Sequence, residues 1–246
     1  MTTDPYELSL RFPAAGNYLI QMFLFDREQT PVVPSDIARR LEVSPAAVTQ
    51  SLKRLEVQGF LKRHPARGFS LTEAGRSIAK RIIARHYLVE RLLVDKLGVA
   101  WDVADEEADH LQQGLTPRME QILTAQLGNP QTCPHGNPFP ESPAESEILA
   151  APPITTVAPG STVEIVRVTE WGEMVPGLLA FCSRHGVGIG SRFVVLSAAD
   201  SSPTDVVRLC PQPSASTPSS KSTSIDHELA IPLEFARFIC IKYITT

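Results

Sequence analysis

The chain has 246 residues, 43% of them hydrophobic and 20% charged, the composition of a globular protein with room for two or three domains. No run approaches 18 consecutive apolar residues, and the start, Met1-Thr-Thr-Asp-Pro-Tyr6, lacks the basic and apolar regions of a signal peptide, so neither a membrane span nor export is expected, and the location is cytoplasmic. The net charge of −4 conceals a division: residues 34–91 hold 12 Lys and Arg against 5 Asp and Glu, a net of +7, while the remainder nets −11.

Along the chain, Asn17–Phe25 reads as a short amphipathic helix that buries Leu19, Ile20, Met22 and Phe23. Pro34–Val43 follows with Ile37, Ala38 and Leu41 at helical spacing. Ser44 then supplies an N-cap and Pro45 the first helical position, where a missing N–H costs nothing. Val48, Leu52 and Leu55 form the buried stripe of a helix over Ala46–Gln58, leaving Ala46, Ala47, Thr49, Gln50 and Lys53 to face outward. Gly59 closes it. Two short apolar runs, Phe60-Leu61 and Phe69-Ser-Leu71, flank a basic turn from Lys62 to Gly68. Two helices followed by a hairpin with a Lys/Arg tip make a winged helix-turn-helix, whose second helix enters the major groove of duplex DNA. The same pattern occurs in plain helical cores, but the local excess of +7 favours a phosphate-binding surface.

Thr72 caps a long helix, Glu73–Lys96, with Ile78, Ile82, Ile83, Leu88, Leu92 and Leu93 spaced at three and four. Further helices are expected over Asp102–Leu115 and Arg118–Leu127, and their apolar faces suit a two-fold dimer, which palindromic DNA reading requires. Residues 128–161 contain eight prolines and read as a loop and linker. Beyond them the period changes to two: Val163–Val168, Arg192–Leu196, Val206–Leu209, Leu229–Ile231 and Phe238–Tyr243 alternate as strands around one helix, Leu178–His185. Five short strands imply a small β-barrel. Pro211–Ser224 has too few apolar residues to fold and reads as an insertion. The four cysteines, Cys133, Cys182, Cys210 and Cys240, contain no CxxC pair and read as reduced packing thiols. No Ser/His/Asp arrangement, P-loop or GxGxxG occurs, and no enzyme activity is expected.

This order, with the motifs Ile37-Ala-Arg-Arg-Leu41, Ser44-Pro-Ala-Ala-Val-Thr-Gln50, Leu71-Thr-Glu-Ala-Gly-Arg76, Arg85-His-Tyr-Leu-Val-Glu-Arg-Leu-Leu93, Asp105-Glu-Glu-Ala108 and Leu127-Gly-Asn-Pro-Gln-Thr-Cys-Pro-His-Gly-Asn-Pro-Phe-Pro140, resembles the diphtheria-toxin-repressor family of iron- and manganese-dependent transcriptional regulators. The resemblance implies an α+β, multidomain chain: a winged helix-turn-helix over 1–76, a helical dimerisation and metal-binding domain over 77–140, a linker over 141–161, and an SH3-like barrel over 162–246 with an insertion at 211–224. It places Ala46, Ala47, Thr49 and Gln50 near base edges, with Ser44 at the cap also among the DNA-binding residues, and Arg39, Lys53, Lys62, Arg63 and Arg67 on phosphates of a double-stranded, inverted-repeat operator. It also implies a divalent metal, with His86 and Glu90 one helical turn apart and Asp105 and Asp109 on the facing helix. Three other ligand positions of the family hold amides here, Asn17, Gln112 and Gln113. An amide oxygen cannot supply the charge of a carboxylate, so the remaining set is oxygen-rich and suits Mn²⁺ or Fe²⁺. Cys133 and His135 resemble a Cys-x-His ligand fragment but fall in a family loop, and a structural role is expected of them. The function so implied is a homodimeric, metal-responsive repressor of iron or manganese homeostasis genes. The alternatives are a DNA-binding regulator that no longer needs metal and a cytosolic accessory protein of an iron transporter.

Overall fold

The computed structural model describes residues 13–28, 34–64, 68–197, 205–212 and 228–244. Within it the chain divides into two compact units, one formed by residues up to Val89 together with Glu107–Asn129, the other by Glu90–Glu106 together with Pro130 onward. The division falls inside a continuous helix.

The first unit opens with α1, Pro13–Arg27, four residues longer at its start than the apolar spacing indicates because Pro13 sits where a helix tolerates proline. Leu19, Met22 and Phe23 are buried along it. Helix α2, Pro34–Arg40, buries Ile37 and Ala38, and α3, Pro45–Val57, buries Val48, Leu52 and Leu55, the stripe expected. The Ser44 side chain accepts from the Ala47 N–H at 3.2 Å and so fixes where α3 begins. Strands β1, Leu61–His64, and β2, Gly68–Leu71, pair antiparallel from Leu61↔Leu71 to His64↔Gly68. Lys62, Arg63 and His64 therefore belong to the strand rather than to the turn. Helix α4, Glu73–Asp95, follows. Gly75 lies so close to the Phe60 carbonyl that a Cβ there would collide with it, which is why the helix can press against the base of the wing. The expected helix over Asp102–Leu115 is shorter: α5 spans Ala104–Leu111, between 3₁₀ turns at Trp101–Val103 and Gln112–Gly114. Helix α6, Pro117–Gln126, is capped by Thr116. Its Glu120 accepts from Arg85, a buried cation on α4, and from Arg81 at 3.4 Å.

In the second unit, five strands, β3 (Thr162–Val168), β4 (Arg192–Ser197), β5 (Val206–Gln212), β6 (Leu229–Pro232) and β7 (Ile239–Tyr243), form one antiparallel sheet in the order β6-β5-β4-β3-β7. The alternating pattern implied a small barrel, and this arrangement fits the SH3-like domain that the resemblance implied. Val163, Ile165, Phe193, Val195, Val207, Leu209, Ile231, Ile239 and Ile241 point into its core. Register shifts between Ile165 and Arg167 and between Val195 and Ser197 bend β3 and β4. Pro211 and Gln212, assigned from composition to the insertion, continue β5 and pair with Phe193 and Arg192. Pro211 lies beyond the end of β6, where a missing N–H breaks no ladder. The rest of that stretch, 213–224, lies outside the described residues. Short helices α8 (Glu170–Glu173), α9 (Leu178–His185) and α10 (Leu233–Ala236) complete the sheet's edges.

Residues 141–161 are packed, not a free tether. They contain α7, Glu145–Leu149, and Ile154 and Val157 are fully buried in the sheet core. The Pro152 carbonyl accepts from the Ile241 N–H at 3.0 Å. Isolated apolar residues between prolines have no period to reveal them, which is why composition alone reads this stretch as linker.

Candidate functional site

Two kinds of site can be built from these units. In the first unit, α3 presents Ala46, Thr49, Gln50 and Lys53 as exposed residues, with Ala47 half-buried. Small and amide side chains on a capped helix are what base-edge contact needs. Thr49 Oγ1 donates to the Pro45 carbonyl at 2.9 Å, so its hydroxyl is left to act as an acceptor. Lys62 and Arg63 are exposed on β1, and the Arg63 guanidinium lies 5.7 Å from the centroid of the Phe69 ring, which holds it upright on the wing. Arg39 is exposed and pairs with Asp36 at 2.8 Å. Arg67 lies outside the described residues.

His86, also in the first unit, is buried on α4 and brings Nδ1 to 3.3 Å from Asp109 Oδ1 on α5. The same Asp109 oxygen accepts from Gln112 Nε2 at 2.8 Å. The amide at position 112 thus donates to a carboxylate at the place where the resemblance implies a ligand. Asn17 and Gln113 are exposed.

The second unit holds a cluster that sequence reasoning assigned to a turn. Residues 131–139 form a tight loop, closed by Phe139 N–H to Gln131 O at 2.9 Å and by Cys133 N–H to Asn137 O at 2.8 Å. Arg91 clamps it to the end of α4, donating to Thr132 O at 2.8 Å and to Cys133 O at 3.0 Å. Gly136, at φ +87°, lies directly on the Val166 carbonyl of β3, and Val168 N–H donates to His135 O at 2.9 Å. This docking buries His135 completely. Its Nδ1 is 3.2 Å from Glu90 Oε2, 3.6 Å from Glu173 Oε1 and 4.0 Å from Cys133 Sγ. Its Nε2 donates to the Trp101 carbonyl at 2.9 Å, and the Trp101 ring lies 4.6 Å away, tilted across the imidazole. The carbonyl fixes which ring nitrogen faces the carboxylates. Glu90 is 0% exposed and also lies within 4.8 Å of Asp105, oxygen to oxygen.

The charges follow from that burial. Burial alone would lower the His135 pKa, but Glu90 beside it and the Trp101 carbonyl lift it above its ordinary value. Burial, with the Glu90 and Glu173 carboxylates, pushes the Cys133 thiol well above its ordinary range, so without a cation it stays protonated. Two carboxylates, an imidazole and a thiol converging in a dry pocket are costly to bury together. A divalent ion would offset much of that cost, its two positive charges balancing two of the three negative charges on the carboxylates and the thiolate. Glu90, Cys133 and His135 offer ligand atoms within 4.8 Å of one another, a donor set that fits Fe²⁺, Co²⁺ or Zn²⁺.

Residues 13–69 match the family described as "Iron dependent repressor, N-terminal DNA binding domain" and residues 72–141 match "Iron dependent repressor, metal binding and dimerisation domain". Over 221 residues the chain is 31% identical to the iron-dependent repressor IdeR of Mycobacterium tuberculosis strain H37Rv, covering 84% of this chain and 90% of that protein. The chain belongs to the iron-dependent repressor family.

The diphtheria toxin repressor of Corynebacterium glutamicum is 33% identical over 119 residues, 48% of this chain and 52% of that one. A manganese-dependent transcriptional repressor solved with manganese shares the fold with a TM-score of 0.75 over 94% of this chain and 100% of its own, at 24% identity. ScaR with bound Zn²⁺ does so with a TM-score of 0.72 at 22% identity, over 94% of this chain and 99% of its own. As a member of the iron-dependent repressor family, the chain is a metal-dependent transcriptional regulator with a DNA-binding domain, and the family consists of repressors rather than enzymes. The family's DNA-binding match runs from α1 into the start of β2, and its metal-binding match contains His86, Glu90, Asp105, Asp109, Cys133 and His135. Glu173 lies beyond both, on α8. Among the described residues no helix is long and apolar enough to cross a membrane.

Two contributors were missed from sequence. These are Cys133 and His135, read from sequence as structural: nothing in their spacing indicates that Glu90, itself an expected ligand, lies against them, and Glu173 sits 38 positions after His135 with no motif of its own.

Proposed function

We propose that this protein is a homodimeric, cytoplasmic repressor that reads an inverted-repeat duplex with α3 and responds to Fe²⁺ or Mn²⁺. Gln50, Ala46, Ala47 and Thr49, with Ser44 at the cap, face base edges, and Arg39, Lys53, Lys62, Arg63 and Arg67 meet phosphates. The metal is held by the expected ligands His86, Glu90, Asp105 and Asp109, and the buried group of Glu90, Cys133, His135 and Glu173 provides a further set of donors. The observation that carries the metal reading is the complete burial of Glu90 against His135, two ionisable groups that a purely structural core replaces with apolar side chains at little or no loss. The thiol favours Fe²⁺ at the buried group, and the carboxylate-rich set accepts Mn²⁺ equally.

One contact supports a second reading, a regulator that binds DNA without metal. Gln112 donating to Asp109, with His86 against the same oxygen, ties α5 to α4 by hydrogen bonds alone. Duplex titrations in a chelator background, repeated with Mn²⁺ or Fe²⁺, decide between them. Affinity that rises with metal supports the first reading. Affinity identical with and without metal supports the second.

A further inference from the structure

Among the described residues Arg167 is the largest fully buried side chain, a cation on β3 that is 1% exposed. The family matches end before it, and DNA reading makes no use of it. Its Nε donates to Asn137 Oδ1 at 2.6 Å. Asn137, itself 0% exposed, uses its two amide hydrogens on the Val168 carbonyl, at 3.0 Å, and on Glu173 Oε1. Glu173 in turn faces His135 Nδ1.

We propose that Arg167 and Asn137 are positioning residues for the metal group, setting the Glu173 carboxylate toward His135 and Cys133 through one fixed amide. This rests on the reading of that group as a metal site. The reason is the one-way polarity of the chain. Arginine carries only donors, so Asn137 must turn its oxygen to Arg167 and its nitrogen to Glu173. Rotating the amide by half a turn would set Asn137 Oδ1 against the Glu173 carboxylate and the Val168 carbonyl, and leave the Arg167 N–H facing an NH₂ group. Each contact would then be repulsive in a site closed to water. Glu173 needs this help. It stands on α8, a single turn of four residues, whose backbone is fixed by Thr169 accepting from Gly172 N–H at 3.2 Å but which leaves the side chain several rotamers. The bond from Asn137 selects one.

Cobalt(II) titration of the full-length chain tests this, because thiolate-bound Co²⁺ has a near-ultraviolet charge-transfer band and its visible bands report coordination geometry. Wild type should show the thiolate band, and Cys133→Ser should lose it. Asn137→Ala should weaken Co²⁺ binding by about 10- to 100-fold, keeping the thiolate band while the visible bands change. Arg167→Lys, which keeps the buried charge but lacks the guanidinium Nε–H, should do the same to a smaller degree, and it decides the matter if Asn137→Ala does not fold. In a Glu173→Ala background, Asn137→Ala should cost no further affinity, a dependence that a general packing role would not produce. Unchanged affinity and visible bands in both variants, or additive losses in the Glu173→Ala background, would overturn the positioning role while leaving the metal site standing. Absence of the thiolate band in wild type would overturn the metal reading and this inference with it.

Discussion

Glu90 and His135 are 45 positions apart in the sequence and 3.2 Å apart in the fold, and neither side chain has any solvent exposure. Glu90 belongs to a helix and His135 to a proline-flanked loop. Their meeting turns a loop motif into half of a candidate metal centre, and it depends on Gly136 and Arg91 holding that loop in place.

Gly136→Ala should therefore damage the site without touching a ligand. At φ +87° an alanine is strained, and its Cβ would strike the Val166 carbonyl. The loop must lift from β3, at a cost of about 2–4 kcal/mol. Thermal unfolding should show the loss, and Co²⁺ affinity should fall with it. A wild-type melting temperature would show that the loop adapts.

On the DNA side, Gln50→Ala should cost ~1–3 kcal/mol on the preferred duplex and relax specificity there. Lys62→Ala should weaken all duplexes alike and make the salt dependence shallower by about one unit of log–log slope. Competition binding with scrambled duplexes at several salt concentrations separates the two. If Gln50→Ala changes neither affinity nor preference, α3 is not the reading helix.

Glu120→Gln should destabilise the first unit. Arg85 is 4% exposed and is held by the Glu120 carboxylate, which also accepts from Arg81. Neutralising that partner leaves a buried guanidinium uncompensated, which costs about 3 kcal/mol or more when a partly buried pair is broken. Arg85→Met together with Glu120→Leu should recover much of the loss. Urea unfolding of the single and double variants measures both.

In the C-terminal sheet, burial alone would raise the Glu164 pKa, but Lys242 at 2.6 Å and Arg192 at 2.8 Å hold it below its ordinary value of 4.5. A depressed carboxylate contributes stability that is present above its unfolded pKa and lost as pH falls through its folded one. Melting temperature should accordingly drop as pH is lowered below about 4.5. Lys242→Met should flatten that dependence and lower neutral-pH stability by at most about 1 kcal/mol, since Lys242 is half exposed. A pH profile of melting identical to that of wild type would show that the pair contributes nothing.

The DNA-reading half was legible in the sequence because its determinants are local. The Ser44 cap, Pro45, the Val48–Leu52–Leu55 stripe and the paired wing strands each depend on neighbours within a few residues, and helical or two-residue periodicity reports them directly. The five strands of the C-terminal sheet were visible for the same reason. Burial of the prolines' companions was not: Ile154 and Val157 carry no period, and only the sheet that forms around them makes them core. The metal group was half visible. His86 and Glu90 share a helix face by spacing alone, but that Glu90 turns to Cys133 and His135, and that Glu173 also reaches His135, was decided by the docking of a loop on β3. Long-range contacts of this kind leave no trace in local pattern, because their energy comes from desolvating groups that the chain brings together only once it is folded.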